Sequence, residues 1–176
     1  MGSPQALSEN DRRVVAWWAA DCAERVLAMF EWESPTDSRP RDAIARTRAF
    51  ARGELDAAGE IRRRFVAGRA AHDVTNPAAI AAARAAAQAA GVAHMGAHAL
   101  GAAAYAAKAA GLSRPNQVDA VRDEIRWQLD QLSPEATTAL RRLPLLGEDT
   151  SGPLGPGLLS RGVLAANIRA IQARLT

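Results

Sequence analysis

The chain has one cysteine in 176 residues, Cys22, which excludes a disulfide framework and any cysteine-rich zinc site. It has one lysine, Lys108, so all but one of its 22 basic side chains are arginines. Aromatic residues make up 5% of the sequence and β-branched residues are sparse, which argues against a sandwich or barrel. The first thirty residues lack an unbroken apolar core and carry Glu9, Asp11, Asp21 and Glu24, so they do not read as a signal peptide. The alanine-rich stretch 77–111 has the length of a membrane span, yet it contains Arg84, Gln88, His94, His98 and Lys108. Phosphate-binding loops, dinucleotide fingerprints and Gly-x-Ser-x-Gly elbows are also missing. These absences predict a soluble protein of the reducing cytoplasm, with no membrane contact, no bound cofactor and no evident catalytic residue.

What is abundant is alanine, 42 residues of it. The composition predicts an all-α fold, one multi-helix bundle of about seven to eight helices forming a single domain over residues 1–176. Charge is uneven: residues 1–60 sum to −3, residues 61–112 to +5 and residues 113–176 to +1. The dense basic cluster is Arg62, Arg63 and Arg64, with Arg69 nearby. It lacks the interleaved aromatics and wider basic stripe of most nucleic-acid binders, which argues against a nucleic-acid partner.

Punctuation along the chain marks the helices. Ser8 followed by Asp11 resembles a capping box and opens a long helix with Val14, Val15, Trp18, Cys22, Val26, Leu27 and Phe30 on an apolar face. Cys22 is expected to be buried there. Ser34–Pro40 breaks that helix, and Pro40 suits the first turn of the next, which Gly53 ends. A third helix carries Leu55, Ile61, Phe65, Val66 and Ala70. Asn76-Pro77 caps the following run, and its 34 residues to Ala110 would span about 51 Å as one helix. That exceeds the diameter of a compact domain of this size, about 40 Å, so two helices meeting near Gly91 are expected. Another helix is expected from about Pro115 to Leu132, with Val118 on its apolar face. A short one opens at Ser133-Pro134-Glu135, and a closing helix spans 158–175. Before it lies a Pro/Gly loop, 144–157, read as a surface loop or else as a partner-binding segment.

The stretch 92–109 draws attention. On one helix, His94, His98, Tyr105 and Lys108 would form a polar stripe on an otherwise Ala/Gly surface, which suits the central helix of the bundle. The four are candidates for lining a ligand pocket. His94 and His98 stand four residues apart, a spacing that can place two imidazoles on one metal, with Asp21, Glu24 or Asp73 as third ligand. The plainer reading is two interior histidines satisfied by hydrogen bonds, with no metal bound. At the end of the first helix and in the loop after it, Glu31, Glu33, Asp37, Arg39 and Arg41 are candidates for contacting a partner. Local pairing that braces the turn is the alternative for this group.

Three segments carry a resemblance. They are Ala16-Trp-Trp-Ala-Ala-Asp-Cys through Phe30-Glu31, Asp37-Ser-Arg-Pro-Arg-Asp-Ala-Ile44 with Arg48–Gly53, and Ala93-His-Met-Gly-Ala-His-Ala-Leu-Gly through Tyr105 to Lys108. Their order and wording over about residues 12–132 are similar to the bacterial immunity-protein family of polymorphic toxin systems. The resemblance implies a small helical cytoplasmic protein that binds and blocks a cognate toxin protein, without catalysis. It transfers no toxin-contacting residue and leaves the oligomeric state open. Two other readings stand beside it: a helical enzyme or small-ligand or metal binder built on the His94/His98/Tyr105/Lys108 stripe, and a nucleic-acid accessory protein using Arg62–Arg64 and Arg69.

Overall fold

A computed structural model describes residues 2–63 and 65–175 of the chain. Among them it contains helices and no strand. A 3-10 turn at Pro4–Ala6 precedes α1 (Glu9–Glu33), α2 (Arg39–Ala51), α3 (Ala57–Arg63), α4 (Val66–Ala70), α5 (Pro77–Gly91), α6 (His98–Ser113), α7 (Ala120–Asp130), α8 (Pro134–Leu140) and α9 (Gly162–Leu175). The all-α bundle expected from composition is what the chain forms, and none of the described helices is long and apolar enough to cross a membrane.

Local chemistry explains most boundaries. The Ser8 hydroxyl accepts the Asp11 amide at 3.0 Å and opens α1. The Asn76 carboxamide oxygen accepts from Ala78 at 2.8 Å and opens α5, with Pro77 in its first turn. Ser133 does the same for α8. Gly53 ends α2 at φ +82, a backbone geometry that favours glycine. The expected third helix is instead the two short segments α3 and α4, on either side of position 64. Arg64, the last of the arginine cluster, lies outside the described residues; Arg62 and Arg63 are exposed.

The interior is built from α1, α5 and α6, which pack on one another. Nearly all of α6 is buried, including Ala102, Ala103, Ala104, Ala106 and Ala107, each with no accessible surface. Methyl-sized side chains let α1, α5, α7 and α9 all approach it closely. Larger groups, such as Trp18, Phe30, Phe50 and Leu100, fill the spaces between helices. Amides from two of the outer helices set their register on α6. Gln128 Nε2 donates to Ala103 O at 3.1 Å and Asn167 Nδ2 to Ala104 O at 3.0 Å.

Three further expectations need correction. The run from Pro77 to Ala110 does divide near Gly91, but the break takes in residues 92–97, so His94 is not on α6 and the four-residue polar stripe is not one helix face. The cause is tertiary. The amides of Gly96 and Ala97 donate to the carbonyls of Ala6 and Gln5, both at 3.0 Å, which draws the N-terminal turn across the gap. Leu7 sits so close that a Cβ on Gly96 would lie 2.4 Å from its Cδ1. The second correction concerns the helix expected from Pro115, which begins only at Ala120. Residues 114–119 form turns that leave Val118 98% exposed, not on an apolar face. The closing helix likewise starts at Gly162 instead of 158.

The Pro/Gly loop 144–157 is fastened from two sides. Gln5, fully buried, donates to Asp149 Oδ2 at 2.8 Å and to Ser151 O at 2.6 Å and accepts from the Leu154 amide at 2.8 Å. Gln172 of α9 accepts from the Leu146 amide and donates to Pro144 O, each at 3.0 Å. Replacing Gln5 by alanine is expected to leave the buried Leu154 amide without its acceptor, at a cost of about 1–3 kcal/mol. Urea unfolding of the variant measures it, and wild-type stability would refute the clasp.

Candidate functional site

The histidines come first. His98 is half-buried at the start of α6, and its Nδ1 lies 2.8 Å from Gln88 Oε1 on α5. His94, in the turn before α6, is exposed, with its ring centroid 6.5 Å from that of His98. Tyr105 is buried and Lys108 is half-buried one turn further along α6. Burial pushes the Tyr105 hydroxyl above its ordinary range, with Arg84 opposing. Asp21 and Glu24, candidate third ligands, both accept from Arg48, at 2.6 and 2.7 Å. Asp73 accepts from Arg39 at 2.5 Å. Among the described residues, no three His, Cys, Asp or Glu side chains gather as a metal site.

A buried carboxyl that spacing did not single out lies on α7. Glu124 is 4% exposed, and its Oε2 accepts from Arg25 Nε at 3.3 Å. Its Oε1 finds no partner among the described residues, and neither does Oε1 of Gln128, one turn further on the same face. Burial raises the Glu124 pKa from the ordinary 4.5, with the charges of Arg25 and Arg114 opposing. The proton is therefore held more tightly in the folded chain than in the unfolded one. That stabilisation is complete below the unfolded value and is lost as pH rises through the folded value. Glu124→Gln, which mimics the protonated acid, is expected to gain stability relative to the wild type as melts are taken upward from pH 4. A constant difference between the two proteins across that range would contradict it. The neighbouring Cys22 thiol is buried and pushed well up, by desolvation first and then by Glu124 and Asp21, so it stays protonated and unreactive.

At the far end of α1 the candidate partner-contacting residues do come together, mostly locked to one another. Arg41 holds Glu31 through two bonds, at 2.6 and 2.7 Å. Arg39 bridges Asp37 and Asp73. Glu33 accepts from the Thr75 and Asn76 amides at 2.7 and 3.0 Å, and these bonds lower its pKa. This ties α1 to α2 and to the start of α5 and freezes the side chains of the patch. Such pairs on the surface contribute little to stability, about 0–1 kcal/mol each. Their effect is to fix geometry.

Amid these charges stands a residue that the sequence reading passed over. Trp32 is 92% exposed. Its position foretells this, since two residues beyond buried Phe30 is about 200° around the helix. A tryptophan so placed does nothing for the core and offers a large rigid apolar face to anything that docks. Trp17, a third of the way along α1, is 41% exposed, whereas its neighbour Trp18 is 2% exposed and donates to Gln128 O.

A family model described as "Imm-5 like putative immunity protein" matches residues 5–135, from the N-terminal turn into α8. No curated protein and no solved structure matches the chain.

Proposed function

The chain belongs to the Imm-5 like immunity-protein family, and from that premise we propose that it neutralises a cognate toxin of a polymorphic toxin system by binding it in the cytoplasm. The match over residues 5–135 is the observation that carries this reading. In this reading the protein does no chemistry: it is a rigid helical block whose surface covers the toxin. The end of α1 supports such a role, because Glu31 and Glu33, which flank the exposed Trp32 in sequence, are held by Arg41 and by the Thr75 and Asn76 amides, and Asp37 is held by Arg39 nearby in the chain. Pre-ordered polar rims around an aromatic anchor are what tight interfaces use, since little side-chain freedom is lost on docking.

The test is co-expression with the toxic product of the adjacent gene. Growth should be rescued by the wild-type chain and the two proteins should co-purify. Absence of both would defeat the reading. Trp32→Ala is expected to melt within about 1 °C of the wild type, because the indole is almost wholly in water. It should weaken the complex by at least thirtyfold, which is about 2 kcal/mol at an interface anchor. Calorimetric titration gives both the affinity and the stoichiometry.

A further inference from the structure

We propose that the groove between α1 and α8 receives a cationic side chain, arginine or lysine, of the toxin. The proposal rests on the immunity reading and adds a second contact to it, separate from Trp32. Two adjoining hollows of about 360 and 350 Å³ lie along this groove and share Val14 and Glu135. Trp17 and Val14 supply an apolar wall from α1, and Ser133 and Pro134 face them from the start of α8.

The charges lining the groove are Asp11, Asp21, Glu135 and Arg142. Arg142 pairs with Asp11 at 2.7 Å and Asp21 is held by Arg48 at 2.6 Å. Glu135, at the point common to both hollows, has no ion pair or hydrogen bond from any described residue. Glu135 is exposed, so its carboxylate faces water and can accept from an incoming group without breaking a bond within the described residues. Arg52 already stands over the Trp17 ring, 6.0 Å from its centroid, so an incoming guanidinium or ammonium group pairs with the Glu135 carboxylate and lays its aliphatic part along Val14 and the exposed remainder of the indole.

The geometry allows one partner to use both contacts. Trp17 and Trp32 are about 22 Å apart along α1 and about 60° apart around it. An interface of ordinary size covers about 800 Å² on each protein, a patch roughly 32 Å across. A toxin lying along the exposed side of α1 thus reaches from the Trp32 indole to Glu135. Asp21, Glu24 and Glu31 occupy the ground between, with Arg41 and Arg48 bound to them from α2.

The experiment uses the full chain and the purified toxin domain encoded by the adjacent gene, its activity disabled by mutation. Glu135→Lys is expected to weaken binding at least tenfold, mostly by slower association at low salt. Glu135→Gln should show a smaller loss. Arg169→Glu on α9 is expected to bind like the wild type. Thermal melts show whether each variant folds. Tight binding by Glu135→Lys, within twofold of wild type, overturns the proposal and leaves the immunity reading standing. If the wild-type chain does not bind the toxin domain, both fall together. A wild-type dimer that Glu135→Lys dissociates would show a second copy of this chain in the groove, and that outcome also overturns the proposal.

Discussion

Trp18→Ala is expected to lose about 3–5 kcal/mol of folding stability, the range for deleting a large buried aromatic. The residue is 2% exposed, and its indole Nε1 donates to Gln128 O at 2.6 Å. Alanine leaves a cavity between α1 and α7 and removes a bond that ties the two helices. Domains of this kind are stable by about 5–15 kcal/mol in total, so the variant gives up about a fifth of that or more. Its melting temperature should fall by about 6–20 °C. Trp17→Ala is the internal comparison. That ring keeps 41% of its surface in water, so its loss should cost about 1–2 kcal/mol. Urea unfolding of both variants measures the difference. Equal losses would mean that the core closes around the missing indole.

The second large effect runs in the opposite direction, toward more volume. Ala103→Leu adds three carbons to a position with no accessible surface, on a helix that four others contact. Interiors are packed like organic crystals, and overpacking typically costs about 1–3 kcal/mol. Here the upper end or beyond is expected, because a wider side chain pushes helix backbones apart instead of displacing a flexible neighbour. The Gln128 bond to Ala103 O is strained as well. Ala45→Leu on the exposed side of α2 should change stability by no more than about 0.5 kcal/mol. A leucine tolerated at position 103 would show that α6 is loosely packed, and the explanation given for its alanines would fail.

Local signals were legible wherever they were local in cause. Ser8, Asn76-Pro77, Ser133-Pro134 and Gly53 mark helix ends through bonds within a few residues, and those ends fall where expected. The turn at 92–97 was different. Its residues are as helix-compatible as those on either side, and the chain turns there because Gln5 and Ala6, some ninety positions earlier, take up the amides of Ala97 and Gly96. No pattern within the stretch contains that information. The same limit applies to Glu124 and Gln128, whose burial follows from how α7 lies on α6. At the surface, the acids and arginines near the end of α1 read as a group, but their pairing did not. Trp32 was within reach of a helical wheel, since it lies about 200° around α1 from Phe30.

The Gln5 clasp also has a bearing on how the molecule is made. Among the described residues, the Gln5 carboxamide is satisfied by Asp149, Ser151 and Leu154, some 145 positions later in the chain. During synthesis from the N-terminus, helices α1 to α6 can gather while that carboxamide waits for a segment not yet polymerised. Closure of the clasp is thus later than the gathering of α1 to α6, tied to the arrival of residues 149–154, and a product released before they are made would lack the bonds that hold the 144–157 loop to Gln5.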